Sequence, residues 1–93
     1  MRALVYTGTQ LSEIQDVPAP VCDRQQIVVD LAFCGICGSD MHAWHGHDER
    51  RVPPLVLGHE AVGVVQDGAL QGARVAINPL MTCGSCACCV SGN

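Results

Sequence analysis

Ninety-three residues with 48% hydrophobic content allow one compact core and leave little room for a second domain. A net charge of −4 with only five Lys plus Arg provides no basic patch for phosphates, and three aromatic residues provide no stacking platform for bases, so nucleic acid is excluded as an expected partner. No apolar stretch approaches the roughly 20 residues that span a bilayer, and the opening run Met1 to Tyr6 is too short for the apolar part of a signal peptide, so the expectation is a cytoplasmic chain without membrane contact.

In chain order, Arg2 to Tyr6 is an apolar run ended by Gly8 and reads as a strand. Leu11, Ile14 and Val17 have helical spacing. The segment is short, however, and closed by Pro18-Ala19-Pro20, so a strand is the better reading. Ile27 to Phe33 alternates, with Ile27, Val29, Leu31 and Phe33 on one face. A single short helix is expected from Met41 to His45, capped by Ser39 or Asp40 and stopped by Gly46. Ala61 to Val65 and Arg74 to Ile77 complete the strands, separated by a turn containing Gly68 and Gly72. Short strands punctuated by Gly and Pro favour a mostly β fold, a small β-barrel. Its core must rest on Val, Leu, Ile and Ala, because Tyr6, Phe33 and Trp44 are the only aromatic residues, and marginal stability in isolation is the consequence.

Seven cysteines would suggest a disulfide framework in a secreted chain, but the count is odd, and metal binding is the better expectation. The strongest chemical signal is Cys83-Gly84-Ser85-Cys86-Ala87-Cys88-Cys89, with thiols at C-x2-C-x2-C spacing among small turn residues. Soft sulfur ligands that converge in a tight turn point to tetrahedral zinc, with an iron–sulfur fragment or reduced surface thiols as alternatives. Cys88, adjacent to Cys89, cannot easily turn toward the same ion. The second signal is Cys37, surrounded by Ser39, Asp40 and His42, with His59 and Glu60 beginning 22 residues later. One sulfur, one imidazole and one carboxylate make an incomplete zinc sphere of the open kind. On spacing alone, a core cysteine and a surface histidine are the better explanation of the pair. Cys34 and Cys37 also form a C-x2-C pair, but no βαβ pattern supports a redox motif, and Cys22 and Cys34 read as structural thiols. His45 and His47 read as solvated side chains and Trp44 as a packing residue.

Taken together, Cys34 to His42, then Gly58-His59-Glu60-Ala61-Val62-Gly63, then the cysteine cluster resemble, in order and spacing, the GroES-like catalytic domain of zinc-dependent medium-chain alcohol dehydrogenases. The resemblance spans essentially the whole chain. It implies that residues 1–93 form a GroES-like small β-barrel, truncated at its C-terminal end. It also implies a following Rossmann domain, and no G-x-G-x-x-G unit occurs in this sequence. The implied activity is hydride transfer between an alcohol (primary, secondary or polyol) and NAD or NADP, with this chain alone inactive. A non-catalytic zinc-binding or interaction module with the same fold is the competing expectation, and the joint presence of Cys37, Ser39, His42 and His59 speaks against it.

Carried over residue by residue, the resemblance makes Cys37 and His59 ligands of a catalytic zinc, with Glu60 beside them as an alternate ligand and the remaining ligand past Asn93. Asp40 would orient His59. Ser39 would accept the alcohol's proton, and His42, at the cofactor ribose, would relay it to solvent. Cys83, Cys86 and Cys89 match three ligands of a structural zinc whose fourth cysteine would also lie past Asn93. At full length the resemblance implies a homo-oligomer acting on a small alcohol or carbonyl compound. Two positions depart from the pattern: Gly38 stands where some members carry a basic residue that contacts cofactor phosphate, and Gly72-Ala73 where an acidic residue is usual. The stretch from Asp67 to Gly72 is also shortened, which would alter a strand pairing.

Overall fold

The structure is a computed structural model that describes residues 1–23 and 25–92. The strands are β1 (Arg2–Gly8), β2 (Leu11–Asp16), β3 (Val29–Gly35), β4 (Leu55–Val56), β5 (Glu60–Val65) and β6 (Arg74–Ala76), and the helices are α1 (Gly38–Trp44) and α2 (Ala87–Ser91). Among the described residues the strands form two antiparallel sheets, ordered β2-β1-β4 and β3-β5-β6, which do not close into one barrel. The expected β class is present, and the closed barrel is not. No described helix is long and apolar enough to cross a membrane.

The Leu11 segment pairs with β1 from Arg2↔Asp16 to Gly8↔Leu11, so the strand reading prevails over its helical spacing. The seven residues from Leu11 to Val17 are too few to hold a helix by themselves, whereas a hairpin satisfies the backbone at once. The ends are tied by the Met1 amino group donating to the Val17 carbonyl (2.7 Å) and Val17 N–H donating back to Met1 (2.8 Å). Val5 and Tyr6, the buried residues of β1, pair on their other side with Val56 and Leu55 of β4, a strand too short to be visible in the sequence pattern.

In the second sheet β5 alternates strictly: Ala61, Gly63 and Val65 are buried and their neighbours exposed, the period of two that a strand with one covered face requires. Despite the shortened loop, the β5–β6 pairing is intact, with Val62↔Ala76, Gly63↔Val75 and Val64↔Arg74 in register. Gly72 N–H donates to the Val65 carbonyl (2.9 Å), and Val65 N–H to that of Ala73 (3.0 Å). Gly72, at φ 83°, adopts the left-handed conformation that lets so few residues close the turn.

Two expectations about helices are corrected. Helix α1 begins at Gly38, with Cys37 as its N-cap, and Asp40 is the third helical residue, whose carboxylate accepts the Cys37 N–H (3.0 Å). Neither Ser39 nor Asp40 is the cap itself: an acidic residue at the third position can satisfy the N-cap amide by reaching back, so the helix starts earlier. Helix α2 was not expected at all; it is a single turn capped by Cys86 and ended by Gly92 in the left-handed conformation, and its thiols obscured the helix signal. Among the described residues the fully buried apolar side chains are those of Val5, Tyr6, Ala43, Ala61 and Val65.

Candidate metal centres

The strand register brings the two distant motifs together. Gly35, the last residue of β3, pairs with Glu60, the first of β5, so the chain leaving β3 through Cys37 passes beside His59 and Glu60 as they enter β5. Two glycines permit the approach. A Cβ on Gly35 would lie 2.5 Å from Glu60 Oε2, and Gly58, at φ 117°, turns the backbone immediately before His59 with a space that a Cβ would have to share with Cys34 Sγ at 2.6 Å. As a result the ligating atoms of Cys37, His59 and Glu60 all lie within 4.8 Å of one another. Asp40 lies beneath them, 5% exposed, with Oδ1 3.4 Å from His59 Nδ1, and Ser39 Oγ is 3.4 Å from His59 Nε2.

A residue that the sequence motifs did not single out completes this network. Arg51 donates from Nη1 to Asp40 Oδ1 (3.1 Å) and from Nη2 to Ser39 Oγ (3.3 Å), while its Nε lies 3.5 Å from Asp48 Oδ2. It sits in the irregular loop between α1 and β4, where no periodicity marks a functional position. Neighbouring Arg50 makes a paired contact with Asp48 (3.0 and 3.2 Å), and that hydrogen bonding holds the Asp48 carboxyl below the usual range and raises the guanidinium further.

His42 lies on the exposed side of α1. With Ser39, His47, Asp48 and Arg50 it lines a shallow depression of about 270 Å³, and with Gly38, Met41, His45 and His47 a second of about 300 Å³. His45 and His47 are exposed, as expected, with their rings stacked at 5.8 Å, and His45 Nδ1 also donates to the Met41 carbonyl (2.8 Å). Trp44 is half-buried, its ring edge-on to His45. Its carbonyl accepts the Gln10 N–H (2.7 Å), which ties α1 to the first hairpin.

The second cluster is Cys83, Cys86 and Cys89, whose sulfurs also lie within 4.8 Å of one another. Cys89 Sγ is 3.6 Å from Cys83 Sγ and 3.4 Å from Cys86 Sγ. A tetrahedral ion with Zn–S bonds of about 2.3 Å places its sulfurs roughly 3.8 Å apart, so the spacing fits zinc closely. Backbone N–H groups point at the thiols, from Cys86 to Cys83 Sγ (3.3 Å) and from Cys89 to Cys86 Sγ (3.5 Å). Backbone hydrogen bonding from Ser85 and then Cys86 lowers the Cys83 thiol from 9.0 to about 6, toward the thiolate that metal binding requires. Cys88 is outside the cluster, as expected, and Cys22 and Cys34 are free thiols.

Two groups of side chains placed to hold a metal ion thus lie on an antiparallel β scaffold. The chain belongs to the alcohol dehydrogenase GroES-like domain family, whose family model matches residues 23–93. Among curated proteins it is similar to the starvation-sensing protein RspB of Escherichia coli K12, 36% identical over 96% of this chain and 28% of that protein. It is likewise similar to the sorbitol dehydrogenase of Bacillus subtilis 168, 36% identical over 99% of this chain and 29% of the relative. The chain thus spans less than a third of the length of these relatives. Among solved structures, RspB from E. coli CFT073, a short chain alcohol dehydrogenase complexed with NADH, superposes with a TM-score of 0.90 at 32% identity, covering 99% of this chain and 28% of that one.

Proposed function

We propose that this chain is the zinc-binding N-terminal part of an oxidoreductase that transfers hydride between a small alcohol and NAD or NADP. The observation that carries the reading is the convergence of Cys37, His59 and Glu60 at the β3–β5 junction, with Ser39 and His42 on the adjoining face of α1. The donor set of one thiol, one imidazole and one carboxylate suits zinc, and three thiols at the second cluster suit a structural zinc.

Bound at Cys37, His59 and Glu60, zinc supplies Lewis-acid polarisation of the alcohol or carbonyl oxygen. The protein's own groups do the rest. His59 Nδ1 lies 3.4 Å from Asp40 Oδ1, and with the ring proton on that nitrogen Nε2 keeps its lone pair available as a ligand. Ser39 Oγ would accept the alcohol's proton while its own hydroxyl proton is handed on. His42, three residues along the same helix face, passes it outward past the cofactor ribose, a task for which an imidazole is matched near neutral pH. The proposal extends to a cytoplasmic setting and a homo-oligomer at full length.

Metal content per chain, measured on protein purified without chelator and paired with intact mass, tests the reading. The expected result approaches two zinc ions, one lost in Cys37→Ser and the other in Cys83→Ser. A folded protein that carries zinc at neither centre, or that carries it without oxidising any alcohol in an NAD(P) screen of the full-length protein, would refute it.

A further inference from the structure

The Cys37 centre has a feature that neither motif supplies. Asp40 is buried; the Cys37 N–H donates to its Oδ2 at 3.0 Å and Arg51 Nη1 to its Oδ1 at 3.1 Å, and His59 Nδ1 lies 3.4 Å from that same Oδ1. A buried carboxylate left without a cation would draw on whichever donors remain, here the imidazole and the amide at the head of α1. Arg51 provides the counter-charge, and the second arm of the same planar fork reaches Ser39 Oγ at 3.3 Å. With that oxygen accepting from Arg51, the Ser39 hydroxyl keeps a fixed place beside His59 Nε2. Arg51 is itself braced from outside by Asp48, 3.5 Å from its Nε.

From this arrangement we infer that Arg51 is a positioning residue of the metal centre, one side chain that sets both the tilt of the His59 ring, through Asp40, and the aim of the Ser39 hydroxyl. The inference rests on the reading of Cys37, His59 and Glu60 as metal ligands. It adds to that reading a cation that touches no ligand directly and acts through the two groups that do the orienting. Lysine cannot replace it, because a single ammonium lacks the rigid fork that spans Asp40 and Ser39 together.

The test compares the full chain with Arg51→Met and Arg51→Lys by two readouts. The first is the ¹⁵N spectrum of the His59 ring without metal, expected to show predominantly the Nδ1–H form in the parent and a mixture in both variants. The second is titration with Co²⁺, read from its visible absorption. The affinity of the Cys37 centre is expected to fall about 10- to 100-fold in Arg51→Met, as removal of an orienting partner does elsewhere, and by less in Arg51→Lys. The sulfur-only band from Cys83, Cys86 and Cys89 should stay unchanged, which a general loss of folding would not allow. An Arg51→Lys protein equal to the parent in both readouts overturns the inference, as does Arg51→Met with an unaltered ring spectrum and unaltered affinity. If the ring spectrum changes but even the parent binds no Co²⁺ at Cys37, the orienting network stands and the metal reading is what fails.

Discussion

At Gly63 the backbone of β5 runs so close to β3 that an added methyl group would press on the Asp30 carbonyl oxygen and on Val29. That oxygen belongs to the sheet and cannot swing aside, and the register of β3 is already irregular next to it, between Leu31 and Phe33. Gly63→Ala should therefore destabilise the chain by about 1–3 kcal/mol, the usual cost of overpacking, measured by denaturant unfolding. Cys83 carries a second prediction at this scale. Its thiol is lowered to about 6, so in the metal-free protein its alkylation should rise through a midpoint near that pH, while ordinary thiols respond near 8.5. The sign for folding follows: a depressed thiol favours the folded chain fully above the unfolded pKa, and the contribution fades as pH falls through about 6. Mass-spectrometric alkylation profiles of Cys83 and of a small reference thiol compared from pH 5 to 9 would show the separation, and coincident profiles would contradict it.

Helix α1 is too short to persist by its own propensity and depends on its first turn, where Asp40 binds the Cys37 amide. Asp40→Ala removes that bond, leaves Arg51 without its main partner and frees the His59 ring. A loss of about 1–3 kcal/mol is expected, less than for a fully buried pair because Arg51 is partly exposed, together with weaker metal binding at Cys37. Helix α2 has a different dependence. It buries no residue and belongs to neither sheet, so its order rests on thiols converging around Cys89. Removing metal with a chelator should melt residues 83–92 while both sheets persist, visible as loss of amide protection confined to that segment. These elements also show what a sequence can disclose. Ligand residues were legible because chemistry fixes their type and spacing, as with Cys83, Cys86 and Cys89. Strand β4, with two residues, has no period to read, and Arg51 reaches Asp40 across a loop whose path only tertiary contacts determine.

For the molecule as a whole, the small core and the wide distribution of its apolar residues belong together. The radius of gyration is 15.4 Å, whereas a compact domain of this length has about 12 Å. Phe33 and Ile36, at the end of β3 beside the Cys37 centre, are 78% and 77% exposed, and Leu80 and Met81, ahead of the cysteine cluster, 75% and 99%. Apolar surface left in water contributes nothing to folding, so the few fully buried side chains and the partly buried ones around them, such as Val29, Trp44 and Val75, must offset the ordering of the backbone. The chain by itself should accordingly unfold in a broad transition at or below the lower end of the mesophile range, about 45 °C, and bind a hydrophobic dye before it melts. Zinc should raise that midpoint, because ions held by the folded centres stabilise by mass action. Calorimetry with and without zinc, run beside sedimentation, distinguishes the possibilities. A sharp transition well above 45 °C from a monomer would mean that these apolar faces are better packed than the fold indicates, whereas the same transition from a dimer would show that a second copy covers them.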